Sequence, residues 1–398
     1  MPFIGSEEIP YHQQDSDDYC GAAVVQMMLA ALGERSLPQQ RDIYHAGYTG
    51  GSGGKSGTSP SELCDALNGY PLSKNRFCPQ FDDKVIGCQR IAAALVKKMG
   101  VPVVVQTENH WNLVTGAQIE GDPKRPPYTI KGFYVHEPEP VTAAVAFAYE
   151  SQDQRYSPPP PHKSPDHCGY GDYFGSANMY VTRYEWDNWY WPLPTGVFDE
   201  FGFITVCDRE QPTPARPTLV QSVPEPKPAS YDEGALKEVV RKSITDHGID
   251  QEGPLAQRIS GYTLGEITDH AQSDTSRRSR QISLMKGKHE VGRAAVDIGN
   301  REFLGVQAPP SKLIAPQEMM RFALEALKYH AAALSDLLGP GPLDNDRFSF
   351  DSAAFVWQPS RQSMSRYNPF IQVKLDETTL YVGMDRRVHR ELAPHIRK

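Results

Sequence analysis

Gln14-Asp15-Ser16-Asp17-Asp18-Tyr19-Cys20-Gly21-Ala22-Ala23 is the stretch on which the reading of this chain turns. It opens an apolar run from Ala22 to Leu32 that closes at Gly33. Val24, Met27, Met28 and Ala31 follow helical spacing, and Gly33 is a natural stop. Asp17 or Asp18 can cap the helix start through a carboxylate to the free N–H groups of the first turn. Cys20 then sits at the N-terminus of a buried helix, where unpaired N–H groups and the positive dipole end favour a thiolate. Gln14 lies six residues upstream and can aim a side-chain amide at the same place as the Cys20 N–H. A nucleophile beside two donors is what acyl transfer through an oxyanion requires. A lone cysteine on an apolar helix is more often a small buried hydrophobe, so the catalytic reading needs a base from elsewhere.

The chain supplies one. Val101 to Gln106 reads as a buried strand, Thr107-Glu108-Asn109 as a turn, and His110-Trp111-Asn112-Leu113-Val114-Thr115-Gly116 as a second strand. A Pro-rich turn (Asp122 to Pro127) leads to a third strand, Gly132 to Val135, ending in His136-Glu137-Pro138. A histidine at one strand start and an acid at the end of the next can lie side by side in an antiparallel sheet. A carboxylate so placed orients an imidazole, the arrangement of a catalytic triad.

Further signals fit around these. Thr58-Ser59-Pro60 starts a helix that runs to about Asn68, and another spans about Ile86 to Met99. The Gly-rich stretch 47–57 contains Gly54-Lys55-Ser56 but has Thr49 where a phosphate loop needs its first glycine, so it reads as a surface loop. The insertion from Ala143 to Cys168 carries Pro158 to Pro161, His162, His167 and Cys168, and reads as a loop near the cleft rather than a metal site. Trp186 to Trp191 reads mainly as sheet packing.

Gln14-x5-Cys20-Gly21-Ala22-Ala23, the Thr58-Ser59-Pro60 helix, His110-Trp111-x-Leu113-Val114-x-Gly116 and Val135-x-Glu137-Pro138 together resemble the papain-like cysteine peptidases. The closest group is the one similar to the bacteriocin-processing (double-glycine leader) peptidases. The resemblance covers about residues 1–208. It implies an α+β, papain-like fold in which N-terminal helices pack on an antiparallel sheet. It further implies Cys20 as nucleophile, His110 as base, Glu137 as the acid that orients it, and Gln14 in the oxyanion hole. The family usually has Asp or Asn where this chain has Glu137. The implied reaction is thiol-dependent hydrolysis of a peptide or isopeptide bond in a protein or peptide substrate. Deamidation or acyl transfer at the same thiol is the alternative, as is a catalytically silent binding module.

Beyond Cys207, residues 209–229 are a proline-rich linker, and 230–398 form a smaller α+β accessory domain with no catalytic constellation of its own. It is expected to carry a helix from Tyr231 to His247, a solvated loop at Ser276 to Arg280, a hairpin about Gly299-Asn300, a long helix from Gln317 to Leu338 and a C-terminal hairpin. Its expected role is to recruit a substrate or partner protein or to cover the cleft, with a domain that only stabilises or dimerises the protein as the equal alternative. A net charge of −8 over 398 residues gives no sign of nucleic-acid or anionic-membrane binding. No apolar run reaches membrane-spanning length, and Met1 to Gly5 is not a secretory signal. Six cysteines without a C-x-x-C pair suit reduced thiols in a cytosol, with signal-independent secretion equally compatible. No metal or cofactor is expected.

Overall fold

The structure is a computed structural model. It describes residues 2–14, 19–34, 36–47, 58–70, 77–82, 84–105, 110–123, 128–138, 176–190, 201–206, 232–272, 278–299, 301–307, 316–329, 348–357, 370–375, 378–383 and 388–389. The Gly-rich stretch, the insertion with His162, His167 and Cys168, and the linker 209–229 lie outside these residues.

The first helix, α1 (Cys20–Ala31), is buried on nearly every side, which its uninterrupted apolar composition requires. It ends as Gly33 dictates. Gly33 takes φ +92°, its N–H donates to Ala30 O, and Glu34 N–H donates to Leu29 O, closing the last turn with left-handed backbone. The N-cap is Tyr19, with no side-chain cap, and Asp17 and Asp18 fall outside the described residues. Two further helices pack with it, α2 (Gln40–Gly47) and α3 (Pro60–Asn68). Helix α3 opens with Pro60 and a reciprocal capping box between Ser59 and Glu62.

The sheet begins with β1 (Phe3–Gly5), β2 (Phe77–Asp82), β3 (Val101–Val105), β4 (His110–Glu120), β5 (Thr129–Glu137), β6 (Ser176–Thr182) and β7 (Phe201–Val206). Helix α4 (Lys84–Val96) lies between β2 and β3 in sequence. The central strands are buried on both faces, and alternation along them sorts two cores. Val103, Val105, Val114, Phe133 and Val135 join Ile91 and Leu95 of α4. Val104, Trp111 and Leu113 join Met27, Met28 and Leu63 from α1 and α3. Trp186 belongs to the first core, stacked on Tyr190 and against Phe133, so core packing is its observed duty.

The rest of the chain adds α5 (Glu233–Asp246), α6 (Ala256–Ile259), β8 (Thr263–Gln272), β9 (Arg278–Lys286), β10 (His289–Asp297), β11 (Glu302–Gln307), α7 (Pro316–Tyr329), β12 (Phe348–Trp357), β13 (Phe370–Leu375), β14 (Thr378–Gly383) and β15 (Val388–His389). Arg278 to Arg280, expected in a solvated loop, begin β9 instead and pair with Ala271 to Asp269 of β8. All the strands form one mixed α+β architecture around a single large sheet. Its order is β15-β14-β13-β12-β8-β9-β10-β11-β6-β5-β4-β3-β7-β2, with β1 on β4. Pairing is antiparallel except between β8 and β12. Strand β11 pairs directly with β6, and a third core unites Tyr134 and Tyr180 with Leu236, Val240, Ile282 and Val306.

The cysteines differ from the uniformly reduced set expected. Cys20, Cys64 and Cys88 are free, but Cys78 is disulfide-bonded. Among the described residues no helix is long and apolar enough to cross a membrane.

Candidate active site

Three of the four residues singled out in the sequence meet. Cys20 is the first residue of α1, His110 the first of β4 and Glu137 the last of β5, so the site lies over strand ends at one end of the sheet. Cys20 is 5% exposed, His110 8% and Glu137 0%. His110 Nε2 contacts Glu137 Oε1 in a buried ion-pair geometry. That leaves Nδ1 as the ring nitrogen for the hydrogen bond between His110 and the Cys20 side chain.

Register explains why a glutamate can serve here. Leu113 and His136 are the last paired residues of the ladder, and continuing that register by one residue puts Asn112 at the level of Glu137. His110 lies two residues from Asn112 on the same face, hence diagonal to Glu137. Diagonal neighbours across an antiparallel pair are about 7–8 Å apart at Cα, a span that long side chains bridge.

Charge in the site is set by two opposing effects. Burial alone would push the His110 pKa down, since it penalises the charged ring. The Glu137 carboxylate, together with the Cys20 contact, outweighs it and holds the pKa well above the ordinary imidazole value. His110 is therefore favoured as an imidazolium, the partner a thiolate needs. The N-cap residue Tyr19 offers no side-chain cap to the start of α1, where the first-turn N–H groups lie at the thiol end of the helix. The helix start is also wedged tightly: a Cβ at Gly21 would come within 3.1 Å of Leu63 Cδ1 and 3.3 Å of both Thr58 Oγ1 and Trp111 Cδ1. Trp111 Nε1 donates to Thr58 O at 2.7 Å and ties the start of β4 to the start of α3.

Gln14 is 5% exposed and is anchored beside the acid. Its backbone N–H donates to Pro138 O at 2.9 Å, and Tyr11 Oη donates to Glu137 O at 3.0 Å. On the other side Gln40 Nε2 donates to Gln13 O (2.6 Å) and to Gln26 Oε1 of α1 (2.9 Å). The segment bearing Gln14 is thus stitched both to the end of β5 and to the helix that carries Cys20.

His136, adjacent to Glu137, has a different assignment. Its Nδ1 accepts from Asn178 N–H and its Nε2 donates to Ile9 O, both at 2.9 Å, which fixes a neutral tautomer. Burial drives its pKa down to about 4. It is a structural clamp between the N-terminal segment, β5 and β6. Asn112 is the residue that sequence reasoning passed over. It is 0% exposed and shares the face of His110 and Glu137, and its only sequence signal is a carboxamide between two apolar neighbours. Among the described residues no cluster of three or more His, Cys, Asp or Glu could hold a metal ion. Comparison with known proteins yields no matching family model, no matching curated protein and no matching solved structure.

Proposed function

We propose that this chain is a thiol hydrolase of the papain-like kind, cutting a peptide or isopeptide bond in a protein or peptide substrate. The observation that carries the reading is the buried contact series Cys20–His110–Glu137, with the thiol on the first residue of helix α1. A buried cysteine with only a packing role has no need of a charged imidazole held by a buried carboxylate. The papain-like arrangement is supported by the same layout, a nucleophile helix packed against an antiparallel sheet that carries base and acid at its strand ends.

In this mechanism His110 takes the Cys20 proton and the thiolate attacks the substrate carbonyl carbon. The oxyanion is held by the Cys20 backbone N–H and the Gln14 side chain. The imidazolium then protonates the leaving amine, and a water activated by His110 hydrolyses the thioester. Glu137 fixes the ring orientation and stabilises the imidazolium.

A peptide-library digestion with the full chain and its Cys20→Ala variant tests this. Cysteine-dependent cleavage is the expected result. Ammonia release without chain cleavage would assign deamidation to the same thiol, and no cysteine-dependent product of either kind would overturn the hydrolase reading.

A further inference from the structure

Glu137 uses only one of its oxygens on His110. Oε2 is buried and, among the described residues, has no hydrogen-bond partner. One residue beyond the last ladder pair, Leu113 with His136, Asn112 is fully buried with neither Oδ1 nor Nδ2 hydrogen-bonded among the described residues. A buried amide left in that state costs about 1–3 kcal/mol, and so does a buried carboxylate oxygen at the least. With the register continued past Leu113 and His136, the two groups occupy opposed positions, whose Cβ atoms in an antiparallel pair stand about 4.5–5.5 Å apart. One is a donor that needs an acceptor, and the other is an acceptor that needs a donor. Apart from His110, the neighbours of Asn112 on its own face and across β3 are apolar: Val114 along the strand and Val103 beside it.

We propose that Asn112 is a positioning residue of this site, its Nδ2 linked to Glu137 Oε2 through one bridging water. Resting on the thiol-hydrolase reading, the inference adds a fourth link behind the acid. Asn112 keeps the Glu137 carboxylate ionised and turned so that Oε1 stays on His110. A hydrogen bond to the charged form of a carboxyl favours that form, which in turn favours the imidazolium. The device also explains how a glutamate, with one more rotatable bond than aspartate, is held in a single orientation.

The test is the pH dependence of iodoacetamide alkylation at Cys20, followed on the Cys20 peptide by mass spectrometry. It compares the full chain with its Asn112→Ala, Asn112→Ser and Glu137→Gln variants and the Ala/Gln double variant. Ala and Ser leave similar space and differ by one donor hydroxyl. The midpoint is expected to rise by about one pH unit in Asn112→Ala and to return at least halfway in Asn112→Ser. Glu137→Gln should raise it too, with no further rise in the double variant. Equal midpoints for Ala and Ser, or additive shifts in the double variant, would overturn the proposal. Should the small variants fail to fold, isosteric Asn112→Asp decides. A carboxyl there donates only when protonated, so its rate relative to the unaltered chain should fall at neutral pH and approach parity on acidification, and a profile overlaying that of the unaltered chain would overturn the proposal. If His110→Ala leaves the unaltered chain's midpoint unmoved, the thiol reading itself fails, and the inference with it.

Discussion

At the scale of single residues, the site is a matter of which group carries charge. His110 is held as an imidazolium well above the ordinary imidazole range, while its chain neighbour in the fold, His136, is held neutral with a pKa near 4. The difference is the partner: a carboxylate for one, a backbone carbonyl and a backbone N–H for the other. Two pH dependences of opposite sign follow. The His110 contribution to stability is complete below its unfolded pKa of about 6.5 and is lost only as pH rises through its raised folded value. His136 contributes fully above about 6.5 and loses its share as pH falls toward about 4. Thermal unfolding of the full chain should therefore weaken between pH 6.5 and 4, and His136→Gln should flatten that decline; an unchanged slope would refute the assignment. For turnover, Glu137→Gln removes the charge that raises His110. The alkaline limb of the pH–rate profile should move to lower pH, with a rate loss smaller than the complete loss expected of Cys20→Ala. The three contacting residues were legible because each stands where a pattern changes: a helix start, a strand start, a strand end. Asn112 was not, because a buried carboxamide inside a strand looks like any polar interruption until register sets it opposite an acid.

At the scale of elements, termini do most of the positioning. The N-cap of helix α1, Tyr19, makes no side-chain cap, whereas α3, which carries no chemistry, has a full capping box. Ser59→Ala should thus cost about 1 kcal/mol of stability, read as a lower melting temperature, with little effect on a small thiol probe. Gly21→Ala presses on Leu63, Thr58 and Trp111, which must yield by a few tenths of an ångström. That overpacking should cost about 1–3 kcal/mol and shift the helix start, so both melting temperature and Cys20 reactivity should drop together. Retained reactivity at lowered stability would show that the helix start is not what places the thiol. Gly33, Ser59-Pro60 and the β4 and β5 runs were readable because propensity, punctuation and burial agree there. Strand β2 was missed because Pro79 interrupts it; the strand lies at the sheet edge, where a missing N–H is tolerated. Strand β9 was missed because Arg278 and Arg280 precede its buried residues Ile282 and Leu284 and hide their alternation.

For the whole molecule, the sheet ties both halves of the chain together. Tyr134 and Tyr180, fully buried on β5 and β6, pack against α5 and the β9–β11 strands. Tyr180 Oη also meets His247 Nδ1 at 2.9 Å, and Gln118 Nε2 donates to Glu252 O at 2.8 Å. No local pattern announces such long-range pairing, which is why a proline-rich stretch reads as a boundary. A fragment ending at residue 210 should expose this apolar face and melt well below the full chain or aggregate; equal stability would show that the shared core contributes nothing. The same whole-molecule view supplies the most direct test of the central claim, because the folded chain holds its own controls. Cys64 and Cys88 are free and buried, and burial pushes the Cys88 thiol up to about 12. Native alkylation with iodoacetamide at pH 6, read residue by residue by mass spectrometry, should modify Cys20 at least tenfold faster than Cys64 or Cys88, and His110→Ala should abolish the difference. Cys20 reacting no faster than the other two, or equally fast without His110, would contradict the account.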